Sequence, residues 1–387
     1  MAVEKMLPAN ANGIAKKLLR SQAVQAVRGG YGLLWLWLDI VGLPLFRNGY
    51  RVCEISKIVF VFVLTAMQAL LMYGCVKFTL AGEVPVIPQM AIVSVGLISM
   101  ALWFSVNEKK KKLKTLMLQL HKLEQLGTRK FSSLTWVLNT YFVITHLFYV
   151  VCIHGYIFTL DEDTDKDYSK LLITTKDKCL VIFLRILIAY LCLLVINFMP
   201  VLATVLCGSV YFRCSQLLSG FCMDIPVHLS GGRVGLIRLS QKHRSLFKLT
   251  HSVERSLSSV ALMLFCSQVL NMFVGLAAFT YHIFPASTLW LSAPALVIVP
   301  STVLILTLSA ARIRLRVRDI QTSLQTVRHC LVSSSQIEWE SVAVVESMLG
   351  TSFPKMTACG IVELKHRLIL SVFGSLFTYG LLIINMQ

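Results

Sequence analysis

"VPVIPQMAIVSVGLISMALWFSVNEKKKKLK" runs from Val84 to Lys114 and changes character once, at Asn107. Val84–Val106 holds no Asp, Glu, Lys or Arg, whereas the eight residues from Asn107 to Lys114 hold five lysines. An apolar run of roughly 18 residues or more can cross hydrocarbon as a helix. Lys and Arg collect on the cytoplasmic side of such a crossing. The stretch therefore reads as a membrane span that leaves the bilayer into the cytoplasm, with its lysines on the surface of anionic lipid.

The same alternation repeats along the chain. Of 387 residues, 56% are hydrophobic and 14% charged, with a mean hydropathy of +0.71. Soluble proteins of this size use about a quarter charged residues. Seven spans are expected: Ile55–Phe78, Val84–Val106, Ser132–Leu160, Cys179–Phe212, Leu257–Phe284, Leu289–Ala311 and Leu368–Gln387. The apolar run "YGLLWLWLDIVGLPLF" at 31–46 is broken by Asp39 and Pro44 and reads as an interfacial or buried cytoplasmic helix, with an eighth span as the alternative. The resulting divisions are a cytoplasmic N-terminal segment 1–54, spans one to four in 55–212, a cytoplasmic helical loop 213–256, spans five and six in 257–311, a cytoplasmic segment 312–367 and a last span 368–387.

Orientation follows from the cations. The N-terminal segment and the second, fourth and sixth loops carry 30 of the 37 Lys and Arg. The first and fifth loops carry none, and the third carries four beside six acidic residues. This places the N-terminus in the cytoplasm and, after seven spans, Gln387 outside. Receptors coupled to G proteins have the opposite orientation. The net charge of +18 is thus a matter of topology, and no nucleic-acid partner is expected. The first 28 residues are polar and basic with no cleavage pattern behind them, so a removable signal is not expected. The eleven cysteines, mostly inside apolar runs and without a CxxC pair, read as small buried hydrophobes. No nucleophile–base set, phosphate loop or metal cluster stands out, so neither an enzyme nor a cofactor or metal site is expected. No internal repeat of the transporter kind is visible.

Several spans continue as amphipathic helices. Cys179–Phe212 is longer than a hydrocarbon core of about 30 Å requires at about 1.5 Å per residue, and Pro200 is placed to kink it. Beyond the Ser230–Gly232 break, Val234, Ile237, Leu246, Leu249 and Val253 form an apolar stripe that leads into the fifth span. After the sixth span, Ile320, Leu324, Val327 and Leu331 keep a helical spacing. Such stripes need each other, or a second subunit, to be buried; lying on lipid is the alternative.

The closing stretch "MTACGIVELKHRLILSVFGSLFTYGLLIINMQ", Met356–Gln387, resembles the signature end of insect gustatory receptors. There a Cys-Gly pair and a basic turn precede a final span with Thr-Tyr, five apolar residues and Gln-Phe. Here Cys359-Gly360 and Thr378-Tyr379 are followed at the same spacing by Asn385-Met386. The resemblance implies a chemosensory, tastant-gated, non-selective cation channel in the plasma membrane of sensory-neuron dendrites. It further implies a homo- or hetero-tetramer with other gustatory receptors, cytoplasmic extensions packed as an anchor, and the last span of each subunit around one pore. The alternative is a seven-helix chemoreceptor that signals through cytoplasmic partners without conducting.

Read physically, Ser371, Ser375, Thr378, Leu382 and Asn385 share one face of the last helix, which either lines a pore or joins helices. A ring of Leu382 residues could close such a pore by dewetting. Candidate ligand-binding residues in the outer halves of the spans are Tyr149, Tyr190, Asn271 and Trp290. Pockets combine aromatic walls with a few fixed polar groups. Tyr156 and Tyr281 fit an interfacial aromatic belt, Arg185 a snorkelling cation, and His154 a helix-end histidine.

Overall fold

The basic run Lys109–Lys114 does not end a helix. In the computed structural model, which describes residues 32–41, 43, 50–81, 86–125, 132–158, 178–229, 232–280, 286–333 and 339–385, it lies well inside one. The elements, in order, are α1 Gly32–Ile40, α2 Tyr50–Ala81, α3 Val86–Gln125, α4 Ser132–Phe158, α5 Lys178–Leu229, α6 Gly232–Thr280, α7 Ala286–Ser333 and α8 Trp339–Leu349. A hairpin of β1 Thr357–Ala358 and β2 Val362–Glu363 then leads to α9 His366–Asn385. The chain is a helical polytopic membrane protein. Among the described residues, α2, α4, α5, α6 and α7 each contain a window long and apolar enough to cross a bilayer. The first part of α3, and α9 from Leu368 onward, coincide with the other two expected spans.

The 40 residues of α3 extend about 60 Å, twice a hydrocarbon core. Beyond Val106 the helix continues because Leu113, Leu116, Met117 and Leu120 recur at helical spacing and are fully buried. The lysines occupy its other faces, and Lys109 donates to Ser259 on α6. The run is thus the outer face of a helix whose apolar face is buried in protein, not a helix lying by its apolar face on lipid.

The same rule lengthens three more helices. The 52 residues of α5 pass through Pro200 and Pro226. This helix is buried on all sides over most of Phe198–Val210, with α3, α4, α6 and α7 around it. The 49 residues of α6 form one helix from the Gly232 break to Thr280. It buries Leu246, Leu249 and Val253 as expected, but Val234 and Ile237 are 61% and 47% exposed, and Leu236 and Leu239 are buried instead. Along α7, Ile320, Leu324 and Val327 are buried, and Leu331 packs beside them. α8 covers α6 and α7 with Val342, Val345 and Met348. The extensions of α3, α5, α6 and α7 thus bury one another within a single chain as a cytoplasmic anchor. A largely buried ion pair, Arg213 on α5 with Glu124 at the end of α3, crosses it at 3.0 Å.

The described part of the 31–46 run is the nine-residue α1, about 14 Å long and too short to span. Leu34, Leu38, Val41 and Leu43 are buried, the Trp103 indole donates to the Val41 carbonyl, and Trp37 packs on Phe142, His146 and Phe198. Among the described cysteines, Cys152, Cys207 and Cys214 are buried as expected, Cys222 is half-buried, and Cys266, Cys330 and Cys359 are exposed.

Candidate functional site

The site begins where the anchor meets the last helix. The turn Ala358–Ile361 closes with the Ile361 amide donating to the Ala358 carbonyl, and both central residues have positive φ, Cys359 at 58° and Gly360 at 73°. A turn with two left-handed residues matches the twist of a hairpin and favours glycine. The Cys-Gly pair is therefore a backbone device. Glu254 on α6 accepts from the Thr357 amide at 3.0 Å and from its hydroxyl. One turn further along α6, Ser258 accepts from the Cys359 amide at 2.7 Å and donates to the Thr357 carbonyl at 3.0 Å. The hairpin is thereby fastened to the helix that α9 packs against. Sequence reasoning missed Glu254 and Ser258, because their partners lie about a hundred residues away.

α9 has three faces. Val372, Phe373 and Leu376 pack against Met272 of α6 and Ala295, Val299 and Val303 of α7. Tyr379 meets Phe273 with ring centroids 5.0 Å apart, and a Cβ on Gly380 would stand 3.1 Å from Leu276, so the helices approach closely there. On a second face Ser371, Gly374, Ser375 and Thr378 are exposed. Ser375 and Thr378 donate back to the carbonyls of Ser371 and Gly374 at 2.8 and 2.9 Å. Their protons are thus used within the helix, and the free lone pairs of the oxygens leave the strip an acceptor surface. The third face carries Leu370, Phe377 and Leu381, which are 76%, 70% and 46% exposed. The backbone of α9 runs through Leu382 and Asn385, whose side chains lie outside the described residues.

In the outer half of the bundle, Tyr149 on α4 and Asn271 on α6 are buried, and neither the Tyr149 hydroxyl nor the Asn271 Nδ2 has a hydrogen-bond partner among the described residues. Ser267 and Gln268, which sequence reasoning passed over, are buried beside Asn271 on α6 with side-chain oxygens in the same condition. A Gln and an Asn three residues apart within an apolar span were the available signal. Trp290 on α7 lies against Gly155 of α4, where a Cβ would come within 2.4 Å of the indole. No hydrogen bond among the described residues joins Tyr149, Asn271 and Trp290. His154 bonds the Val150 carbonyl through Nδ1 at 2.8 Å. The side chains of Tyr156, Arg185 and Tyr190, and all of Tyr281, lie outside the described residues.

No protein-family description matches the sequence, and neither does any curated protein. Among solved structures, the insect olfactory receptor OR5 from Machilis hrabei in complex with eugenol superposes with a TM-score of 0.70 at 14% identity, covering 94% of this chain and 100% of that one. A second structure of the same receptor gives a TM-score of 0.67 at the same identity and coverage. The chain has the fold of that insect olfactory receptor.

Proposed function

We propose that this chain is a subunit of a ligand-gated cation channel of the insect chemoreceptor kind, with α9 from four copies around a central pore. The observation that carries the reading is the exposed Ser371–Ser375–Thr378 strip on a helix whose opposite face is packed. Hydroxyl groups at bilayer depth avoid lipid, and an acceptor surface suits partly dehydrated cations. The bare Leu370–Phe377–Leu381 strip beside it supplies an apolar face for a neighbouring subunit. Leu382 and Asn385 continue the polar face outward and form the outer constriction.

The finer reading is a taste receptor. Its support is the C-terminal pattern, in which Cys359-Gly360 and Thr378-Tyr379 keep gustatory-receptor spacing. Small-molecule tastants enter among the outer halves of the spans, where Tyr149, Tyr190, Asn271 and Trp290 contribute walls and polar groups. The test is current from purified protein in a planar bilayer across a tastant panel, alone and with candidate co-receptor subunits. Replacing Leu382 by Ser should raise current without ligand, and Asn385→Asp should raise calcium-to-sodium permeability. Wild-type values for both variants at intact surface expression would mean this face does not line a pore.

A further inference from the structure

We propose that the hollow where α7 leaves the membrane and α9 enters it holds the phosphate-bearing headgroup of an anionic lipid of the cytoplasmic leaflet. The cavity measures about 430 Å³ and is lined by Ala311, Arg314 and Arg318 from α7 and by Lys365, His366 and Arg367 at the start of α9. Its depth is set by two boundaries in the sequence. Ala311 closes the apolar run of α7, and Leu368 opens that of α9. Lipid headgroups lie at this level.

The charges of the hollow are unbalanced. No carboxylate lines it. The adjacent Glu363 is shared by Arg314 at 2.6 Å and Lys365 at 3.1 Å. Arg318 and Arg367 have no ion pair among the described residues. Elsewhere in the anchor several cations are answered singly, Arg213 by Glu124, Lys242 by Asp224, Arg316 by Asp319 and Arg328 by Glu346, whereas here four cations cluster around one carboxylate. Four cations against one carboxylate leave the hollow net positive, a local field that attracts an anion. Arg314 and Arg318, one turn apart, offer planar donor forks of the kind that take phosphate oxygens in pairs. Lys365, His366 and Arg367 line the hollow from the other side. A headgroup held here ties the base of α9 to α7, and its bearing on gating rests on the pore reading above. Its binding does not.

The test uses the full-length protein in phosphatidylcholine vesicles containing a small fraction of fluorescent phosphatidylinositol bisphosphate. Each cation near an anionic headgroup is worth about fivefold in affinity, so Arg318→Gln with Arg367→Gln should weaken lipid binding about 25-fold. Lys111→Gln with Lys112→Gln removes two exposed lysines of α3 on the same side of the membrane and should change it little. Equal loss from both pairs would mean diffuse attraction and overturn the site. If the double variant misassembles, the single Arg367→Gln change, on an exposed residue, takes its place and should cost about fivefold; no loss there overturns the site as well. Inorganic phosphate and soluble inositol trisphosphate form the second arm. Either one displacing the lipid at a concentration comparable to it would assign the hollow to a free phosphate and overturn the lipid assignment.

Discussion

Glu124 is a largely buried carboxylate at the end of a helix, with one oxygen on Arg213 at 3.0 Å and the other, itself buried, without a partner among the described residues. Burial raises its pKa above the ordinary 4.5 and the Arg213 charge opposes the shift; the neighbouring His121 is lowered by burial and by the same arginine. Removing one partner of a buried pair leaves an uncompensated charge, so Arg213→Met should cost about 3 kcal/mol. The pH dependence has a definite sign. A carboxyl raised in the folded state contributes stability that is present below its unfolded value and lost as pH rises through the folded one. Without Arg213 the folded value moves higher still. The melting temperature of Arg213→Met should therefore fall more steeply than wild type as pH rises from 4.5, and adding Glu124→Gln should flatten it. Parallel wild-type and Arg213→Met curves would show that the arginine does not act on Glu124. Cys359 makes a second residue-scale case. A β-branched side chain at its φ of 58° is strained by about 1–2 kcal/mol, so Cys359→Val should lower the melting temperature while Cys359→Asn holds it near wild type. The pair Cys359-Gly360 is legible as a motif, but its backbone role is not, because a φ angle leaves no periodic trace in composition.

The long helices show what periodicity can and cannot carry. Membrane runs are readable because hydropathy averages over a window, and a lysine run stops that average. It does not stop the helix: one face of α3 stays apolar through Leu113, Leu116 and Leu120 while another carries the charge. The end of the second span is thus legible as a membrane boundary, and the anchor helix beyond it is not. On α6 the apolar spacing marks the buried face from Leu246 to Val253 but misplaces it at Val234 and Ile237, since spacing alone cannot tell which face finds a partner. This difference yields a prediction about the element. Leu249 is 2% exposed, so Leu249→Lys buries a charge with no partner, costs more than about 3 kcal/mol and should abolish the folded peak in size-exclusion chromatography. Ile237 is 47% exposed, so Ile237→Lys should leave each chain folded. If the proposed oligomer is lost and the peak shifts to monomer, that end of α6 joins subunits; an unchanged elution places Ile237 against water or lipid.

At the scale of the molecule, the exposed faces of the spans differ in kind. α2 shows Ile55, Ile58, Val59, Phe62, Met72 and Val76, and α4 shows Val143, Ile144, Leu147 and Val151, as lipid contact requires. Only on α9, among the described spans, does a run of hydroxyls stand exposed at helical spacing, with a bare apolar strip next to it. Composition and cation counts make the membrane class and orientation legible. They cannot separate pore lining from helix contact, because a serine suits both. Cysteine substitution separates them. With the exposed Cys266, Cys330 and Cys359 replaced by Ser, Ser375→Cys and Thr378→Cys place thiols on the hydroxyl strip, and Phe377→Cys places one on the apolar strip. A positively charged methanethiosulfonate reagent reacts in water and adds a cation to each subunit, so modification inside a cation pore should abolish most of the current. We expect the two strip variants to lose current during ligand application and Phe377→Cys to keep it, packed against a neighbour or lipid. Unmodified strip cysteines in channels that still conduct would make the hydroxyl strip a contact between subunits. Rapid block of Phe377→Cys alone would turn α9 by about a third of a revolution and put the apolar strip, not the hydroxyls, on the ion path.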